Sequence, residues 1–496
     1  MSVIIISLAV FIIALDSTFM SVALQSLIRD LNTTMSQLQL IITFYTLVMA
    51  STMLIGGKLQ DIMGKKKVFL LGASLFGIGT IIAALSINST MLFLGWSLLE
   101  GLGAALMTPA TVSIIAGSYE GEKRTLALAV ITAMAGIAAA IGPLFGGALT
   151  SFASWRWGFA VELVFVIIIL ISSSKIKYFE PFLDKKDLDK TGSLLSIIGF
   201  ILLILGILQF NSLETAGNAI YLIIPGIVLL VLFVLYEKRL ISKDKIPLFN
   251  VRLLKIRNFT LGSLIRLIVN VALTGSIFAV SIFLQTVTKA DSFTTGLVLM
   301  SLTVGLLIFS IISPKLSRKI SHKAILIIGF IVSIIGVLIL GNQFNMATGL
   351  LDIMPGMFVL GSGLGLAMPL TADIILGATD EKNESDASGF MSTSANLGSS
   401  LGTALIGCII IMGAISGFVN AADSYYPGVV DKDNAIMYFD KLKTIDLEES
   451  QISEEVVDDV LDKTIHDAMH LGMLFLAFIL FIGVILLLFL KKQAYI

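Results

Sequence analysis

Apolar residues run along this chain in stretches of about 20, cut by short charged breaks, the length a helix needs to cross a hydrocarbon core of roughly 30 Å. The pattern predicts helices over 2–24, 38–56, 68–87, 91–115, 126–149, 157–174, 192–211, 219–236, 259–285, 295–313, 323–341, 350–377, 388–413 and 468–490. Short strands alternating apolar and polar residues, the mark of a membrane barrel, are absent from the sequence pattern. The expectation is an all-α polytopic membrane protein with about fourteen transmembrane helices.

The fifth run names its own medium. "AMAGIAAAIGPLFGGAL", Ala133 to Leu149, contains Gly136, Gly142, Gly146, Gly147 and Pro143. In water each interior Gly weakens a helix by roughly 0.5–1 kcal/mol and a Pro by roughly 3. In lipid, small residues instead let helices approach closely, and Gly142 and Gly146, one turn apart, form such a face. Pro143 is expected to kink the helix, with neighbours satisfying the backbone groups it frees.

Composition agrees and adds exclusions. Of 496 residues, 56% are hydrophobic and 14% charged, with mean hydropathy +0.98, more apolar surface than one soluble core can hide. A net charge of −1 argues against a nucleic-acid partner. Cys408 is the single cysteine and lies in an apolar run, so there is no disulfide framework. The first run has no basic n-region and no A-x-A-like cleavage site, and reads as a retained helix. No P-loop is present, so ATP drive is not expected, and no cofactor or metal is implied; His322, His466 and His470 have no metal spacing and read as solvated. With both termini placed on one side, 25 of the 33 Lys and Arg fall on that side, which predicts cytoplasmic termini in the cell membrane.

Two long connections suggest the organisation. "KIKYFEPFLDKKDLDK", 175–190, separates six helices from the rest. An acidic segment at 414–467, with thirteen Asp or Glu against four Lys, falls outside; within it "DLEESQISEEVVDDVLDKTI" reads as an amphipathic surface helix. That segment is either a solvated cap or a vestibule that attracts cations. "GKLQDIMGKK" after the second helix and "PKLSRKISHK" after the tenth form a weak repeat, as paired bundles in transporters do.

The first of these loops fits G-x-L-x-D-x-x-G-[RK]-[RK]. Gly57 and Gly64 permit close helix approach and a tight turn, and Asp61 beside Lys65 and Lys66 can form a charge cluster that is made in one state and broken in another. In this loop the chain resembles the major facilitator superfamily. "ALDSTFMSVALQSL" in the first helix is similar to the "LDxTVVNVALP" motif of its fourteen-helix drug:proton antiporters, the QacA/EmrB type. "GIAAAIGPLFGGAL" resembles the motif of the superfamily's antiporters, and "WRWGF" at Trp155–Phe159 recurs in that family. The resemblance implies an N-terminal six-helix bundle at 1–174, a linker with two inserted helices at 175–258 and a C-terminal six-helix bundle at 259–496, the bundles surrounding a central cavity and working by alternating access, with the Gly/Pro helix as a seam that favours exchange over leak. It also implies that Asp61 faces Ser385 and Asp386 at the start of the thirteenth helix. The chain departs from the pattern in places: "SLLEG" puts Ser97 where the family carries an Arg and Glu100 where it carries a Gln, Leu40 replaces a Trp, and Glu162 replaces an Asn.

Acids deep in apolar helices are costly and therefore mark function. At 1.5 Å per residue, Asp16 lies roughly 10–12 Å, Glu100 roughly 13 Å and Glu162 roughly 8 Å below the outer face, with no Lys or Arg inside the membrane in that bundle. All three are candidates for carrying protons or neutralising a cationic substrate. In the second bundle Arg266 and Asp373, near the inner ends of their helices, either form a salt bridge or belong with Gln285 and Asn396 to the cavity wall or inner gate. Together these residues suggest a monomeric, non-enzymatic exporter that swaps protons for amphipathic or cationic compounds. An exporter dedicated to one metabolite, peptide or lipid-like molecule, or a non-transporting ligand-binding membrane protein, are the alternatives.

Overall fold

Fourteen long helices cover the residues that the computed structural model describes, 2–209, 217–425 and 454–490. They are α1 (Ser2–Asp30), α2 (Met35–Met63), α3 (Lys65–Ala84), α4 (Ser89–Ala116), α5 (Gly121–Phe152), α6 (Arg156–Ile171), α7 (Lys190–Leu208), α8 (Ala219–Ser242), α9 (Arg257–Thr286), α10 (Ser292–Leu316), α11 (His322–Gly341), α12 (Leu350–Gly377), α13 (Glu384–Tyr425) and α14 (Glu454–Leu488). Each holds all or most of one of the apolar runs; the runs at 68–87, 157–174, 192–211 and 468–490 end two or three residues beyond α3, α6, α7 and α14. Side-chain caps fix several starts: Thr34, Asn88, Asp291 and Ser321 accept from the backbone N–H three residues on.

Most helices begin before their apolar runs and many end after them, because hydropathy marks the membrane-crossing part and not where a helix starts or stops. The largest difference lies at 414–467, expected as a loop. Here α13 continues to Tyr425 and α14 begins at Glu454, and the two extensions pack on each other through Phe418, Ala421 and Val460. The described part of the expected surface helix, 454–465, is the first three turns of α14; 426–453 lie outside the described residues.

Packing falls into two groups. Helices α1 to α6 contact one another, with α1 on α5 and α3 on α4 as major pairs, while α9 to α14 form a second set around α12. Helices α7 and α8 pair with each other, and α7 leans on α2 and α13. Between the two sets α2 meets α13 and α5 meets α10. Helix α4 carries an unforeseen irregularity: Phe93–Glu100 is π-helical. Such segments are rare and cluster at functional sites. This one spans Ser97 and Glu100, where the chain departs from its family pattern.

Candidate functional site

Three carboxyl groups converge in the N-terminal set. Asp16 of α1, Glu100 of the π-helical stretch and Glu162 of α6 each present an oxygen within 4.8 Å of the others, and all three residues are fully buried. The Trp96 indole N–H donates to both Asp16 oxygens, at 2.8 and 2.9 Å, and the Tyr45 ring stacks on Trp96 at 5.1 Å. Neither oxygen of Glu100 nor of Glu162 has a hydrogen-bond partner, and among the described residues no Lys or Arg pairs with any of the three. Trp96 and Tyr45 were not anticipated, since nothing in the sequence distinguishes them from packing aromatics. The sequence gives the depth of Glu162 but not that α6 turns it toward Asp16 and Glu100.

On the other face of α1 lies a cavity of about 790 Å³, between the two helix sets. That is the size of sites for drug-sized molecules. Ser17 and Thr18, next in sequence to Asp16, line it, whereas the three acids do not. The cavity extends from Arg266, Met368 and Met391 in its depth to Gln285 and Thr295, within one turn of the far ends of α9 and α10. Gln285 and Asn396 both belong to its wall. Arg266 does not form a salt bridge with Asp373. Its Nη1 donates to the Met368 carbonyl at 3.0 Å, while Asp373 is turned to α5, where Arg124 holds it at 2.7 Å, with His322 at 3.8 Å.

The end of the molecule that carries the basic loops is closed. Lys58, almost wholly buried, lies 3.5 Å from Asp61 on its own helix and 3.6 Å from Asp386 on α13. Lys65 lies 2.5 Å from Glu384 of α13. Arg124 to Asp373 and Arg318 to Glu122 tie α5 to the second set at the same end. Lys66 is partly exposed and makes no ion pair among the described residues, so Lys58 takes the part expected of it. Asp61 also anchors the 175–190 connection, its carbonyl accepting from the Phe182 and Leu183 N–H groups. Gly64, at φ +90°, makes the α2–α3 turn, a conformation that favours glycine. Gly57 lets the α2 backbone reach α13: a Cβ there would lie 2.8 Å from the Ser385 carbonyl and 3.3 Å from the Gly389 Cα.

The glycines of α5 divide between two neighbours. Gly142 and Gly146 face α1, where a Cβ on Gly146 would sit 3.0 Å from the Phe19 carbonyl and 3.1 Å from its Cα. Gly136 faces α10, where a Cβ would lie 3.2 Å from the Leu306 side chain. Helix α5 therefore touches both the acid-bearing helix and the opposite set. Pro143 and Gly147 lie within α5 but outside the residues whose surroundings are described. His466 and His470, expected to be solvated, are partly buried and bonded to the Phe344 and Gly341 carbonyls. Cys408 is a free cysteine, partly buried on α13.

Comparisons with known proteins place this geometry. The sequence profile of the Major Facilitator Superfamily matches residues 6–403. The chain is 28% identical over 417 residues to the methylenomycin A resistance protein of Bacillus subtilis (strain 168), a match covering 83% of this chain and 87% of that one. It is 26% identical over 409 residues to the multidrug efflux pump LfrA of Mycolicibacterium smegmatis (strain ATCC 700084 / mc(2)155), covering 82% and 79%. Among solved structures, the human organic anion transporter MFSD10 superposes with a TM-score of 0.63 at 12% identity, covering 98% of both chains, and this shows the shared fold.

Proposed function

The chain belongs to the major facilitator superfamily, and from that premise we propose that it is a membrane carrier which exports amphipathic small molecules in exchange for protons. The multidrug and antibiotic-resistance proteins it resembles support the export reading. One observation carries the coupling: three buried carboxyl groups within 4.8 Å of one another, with no Lys or Arg paired to them among the described residues, behind the helix that walls a drug-sized cavity. Full ionisation of such a cluster costs ~3 kcal/mol per pair at an effective dielectric of about 20. Protons held there offset that cost, and the cluster then titrates as a unit. Helix α1 couples the two sites, with Asp16 on one face and Ser17 and Thr18 on the other.

In this reading residues 1–174 and 259–496 are the two moving bundles, 175–258 carries the two inserted helices, and both termini are cytoplasmic. The ion-paired basic end is then the closed inner gate, and the cavity is the outward-facing site. Alternating access requires that the gate open and the far end close around the substrate. The test is reconstitution in proteoliposomes carrying an imposed pH gradient and a fluorescent amphipathic dye. Dye movement should follow the gradient and stop with an uncoupler. Movement that is indifferent to both would overturn the proton-coupled reading.

The gate makes its own prediction. Asp386→Asn removes the charge that Lys58 meets across the two sets and leaves Lys58 with Asp61 on its own helix, so the link between the sets is lost. A cysteine at Met53, which faces Gly389 and Asn396 in the seal, should become at least ~10-fold more reactive to a cytoplasmic thiol reagent, as a population shift of ≥1.4 kcal/mol demands. Unchanged labelling would mean that the pair does not hold the gate.

A further inference from the structure

We infer that the cavity selects amphipathic anions, and that Arg266 is the residue that holds their charged end; as a statement about transported substrates this rests on the exporter reading. Arg266 is the one charged residue among the described residues that line the cavity. It makes no ion pair among the described residues. The nearest candidate partner, Asp373, is held by Arg124 and His322, and the three acids of the N-terminal set lie buried behind α1.

The guanidinium is only partly satisfied. Nη1 donates to the Met368 carbonyl, and Nε is buried without a partner. A planar guanidinium presents five N–H donors suited to a carboxylate or sulfonate, and bonds of that kind are stronger than those between neutral groups.

Two further groups in the same wall wait for an acceptor. Thr111 of α4 is fully buried and Ser392 of α13 is 4% exposed; both line the cavity, and neither hydroxyl has a hydrogen-bond partner. Hydroxyls can donate to an anion as Arg266 does. The two come from opposite helix sets, so a ligand engaging both with Arg266 bridges them. The rest of the wall is largely apolar, with Ile277, Phe278 and Leu302 placed to cover an aromatic or aliphatic body. A cation in this cavity meets an uncompensated positive charge at low dielectric, where repulsion is strong. The ligand class is therefore a drug-sized apolar body with one carboxylate or sulfonate.

The test uses two dyes with one xanthene core, anionic fluorescein and cationic rhodamine 6G, bound to the full-length purified protein in detergent and followed by fluorescence polarisation. Wild type should bind fluorescein at least ~10-fold more tightly than rhodamine 6G, the worth of one charge-assisted hydrogen bond. Arg266→Gln should abolish that preference by weakening fluorescein and relieving the repulsion on rhodamine 6G, and Arg266→Lys should restore part of it. Tighter binding of rhodamine 6G by wild type, or fluorescein affinity unchanged in Arg266→Gln, overturns the inference. If the glutamine variant does not fold, the wild-type ranking of the two dyes decides. The exporter reading is judged separately, by pH-driven flux in proteoliposomes: the dye preference without flux keeps Arg266 as the anion site and removes the exporter.

Discussion

Asp16→Asn is expected to abolish proton-driven export while leaving the protein inserted and able to bind ligand. Asn keeps the shape of the side chain and one oxygen that can still accept from the Trp96 indole N–H, so the aromatic pair of Trp96 and Tyr45 has no reason to move. What is lost is the exchangeable proton. Asp16 is fully buried beside two carboxyl groups that have no hydrogen-bond partners, and removing one acid from a set sharing protons changes the proton count of the whole set. The cavity lies on the other face of α1, so ligand affinity should change by less than about threefold, within the range of substitutions that touch no ligand. Two measurements check this. Gradient-driven flux in proteoliposomes should fall at least ~100-fold, as expected when a step loses its proton carrier. Ligand-induced proton release from purified protein, read with a pH dye, should fall to background. Wild-type release from Asp16→Asn would transfer the coupling role to Glu100 and Glu162, whose Gln variants are then the ones to silence it.

The helices were legible in the sequence, because an apolar run of about 20 residues between charges is a direct consequence of the thickness of a bilayer. The ends were less so: the amphipathic pattern at 446–465 marked a helix, but not that its described part runs on into α14 and packs on an extended α13. The family could be read from the loop at 57–66 and from the Gly/Pro helix, and the profile match over 6–403 bears that out. Within the site, depth could be computed from the sequence but direction could not. Arg266 and Asp373 lie at similar depth, yet Asp373 turns toward α5, so the salt bridge between them does not form. The gate lysine could have been found: Lys58 and Asp61 are three apart on one helix, a spacing that places them on one face, whereas Lys66 follows Lys65 and points elsewhere. The π-helical stretch in α4 and the meeting of Glu162 with Asp16 leave no local trace, being set by how whole helices pack.

Gly146→Leu is expected to disable exchange with little loss of inserted protein. Helix α5 meets α1 along Gly142 and Gly146, and the first added carbon at Gly146 already meets Phe19 backbone atoms at 3.0 and 3.1 Å. Backbone cannot rotate away as a side chain can, so leucine must push α1 and α5 apart, at a cost of about 1–3 kcal/mol for overpacking. That cost is small beside the burial of whole helices, and the chain should still fold. It is large beside the balance between two transport states, where 1.4 kcal/mol is about a tenfold shift. Moreover, the helix displaced is the one that carries Asp16 on one face and cavity residues on the other, and α5 itself touches α10 through Gly136 and Leu306. A displaced α1 should spoil both the carboxyl cluster and the contact between helix sets, so dye flux should fall by at least ~10-fold. Gly146→Ala, which adds only the first carbon, should retain an intermediate rate. The measurement is flux per reconstituted molecule, with a cysteine pair across α1 and α5 reporting their separation. Full flux from an inserted Gly146→Leu protein would show that close approach of α1 and α5 is not needed for exchange.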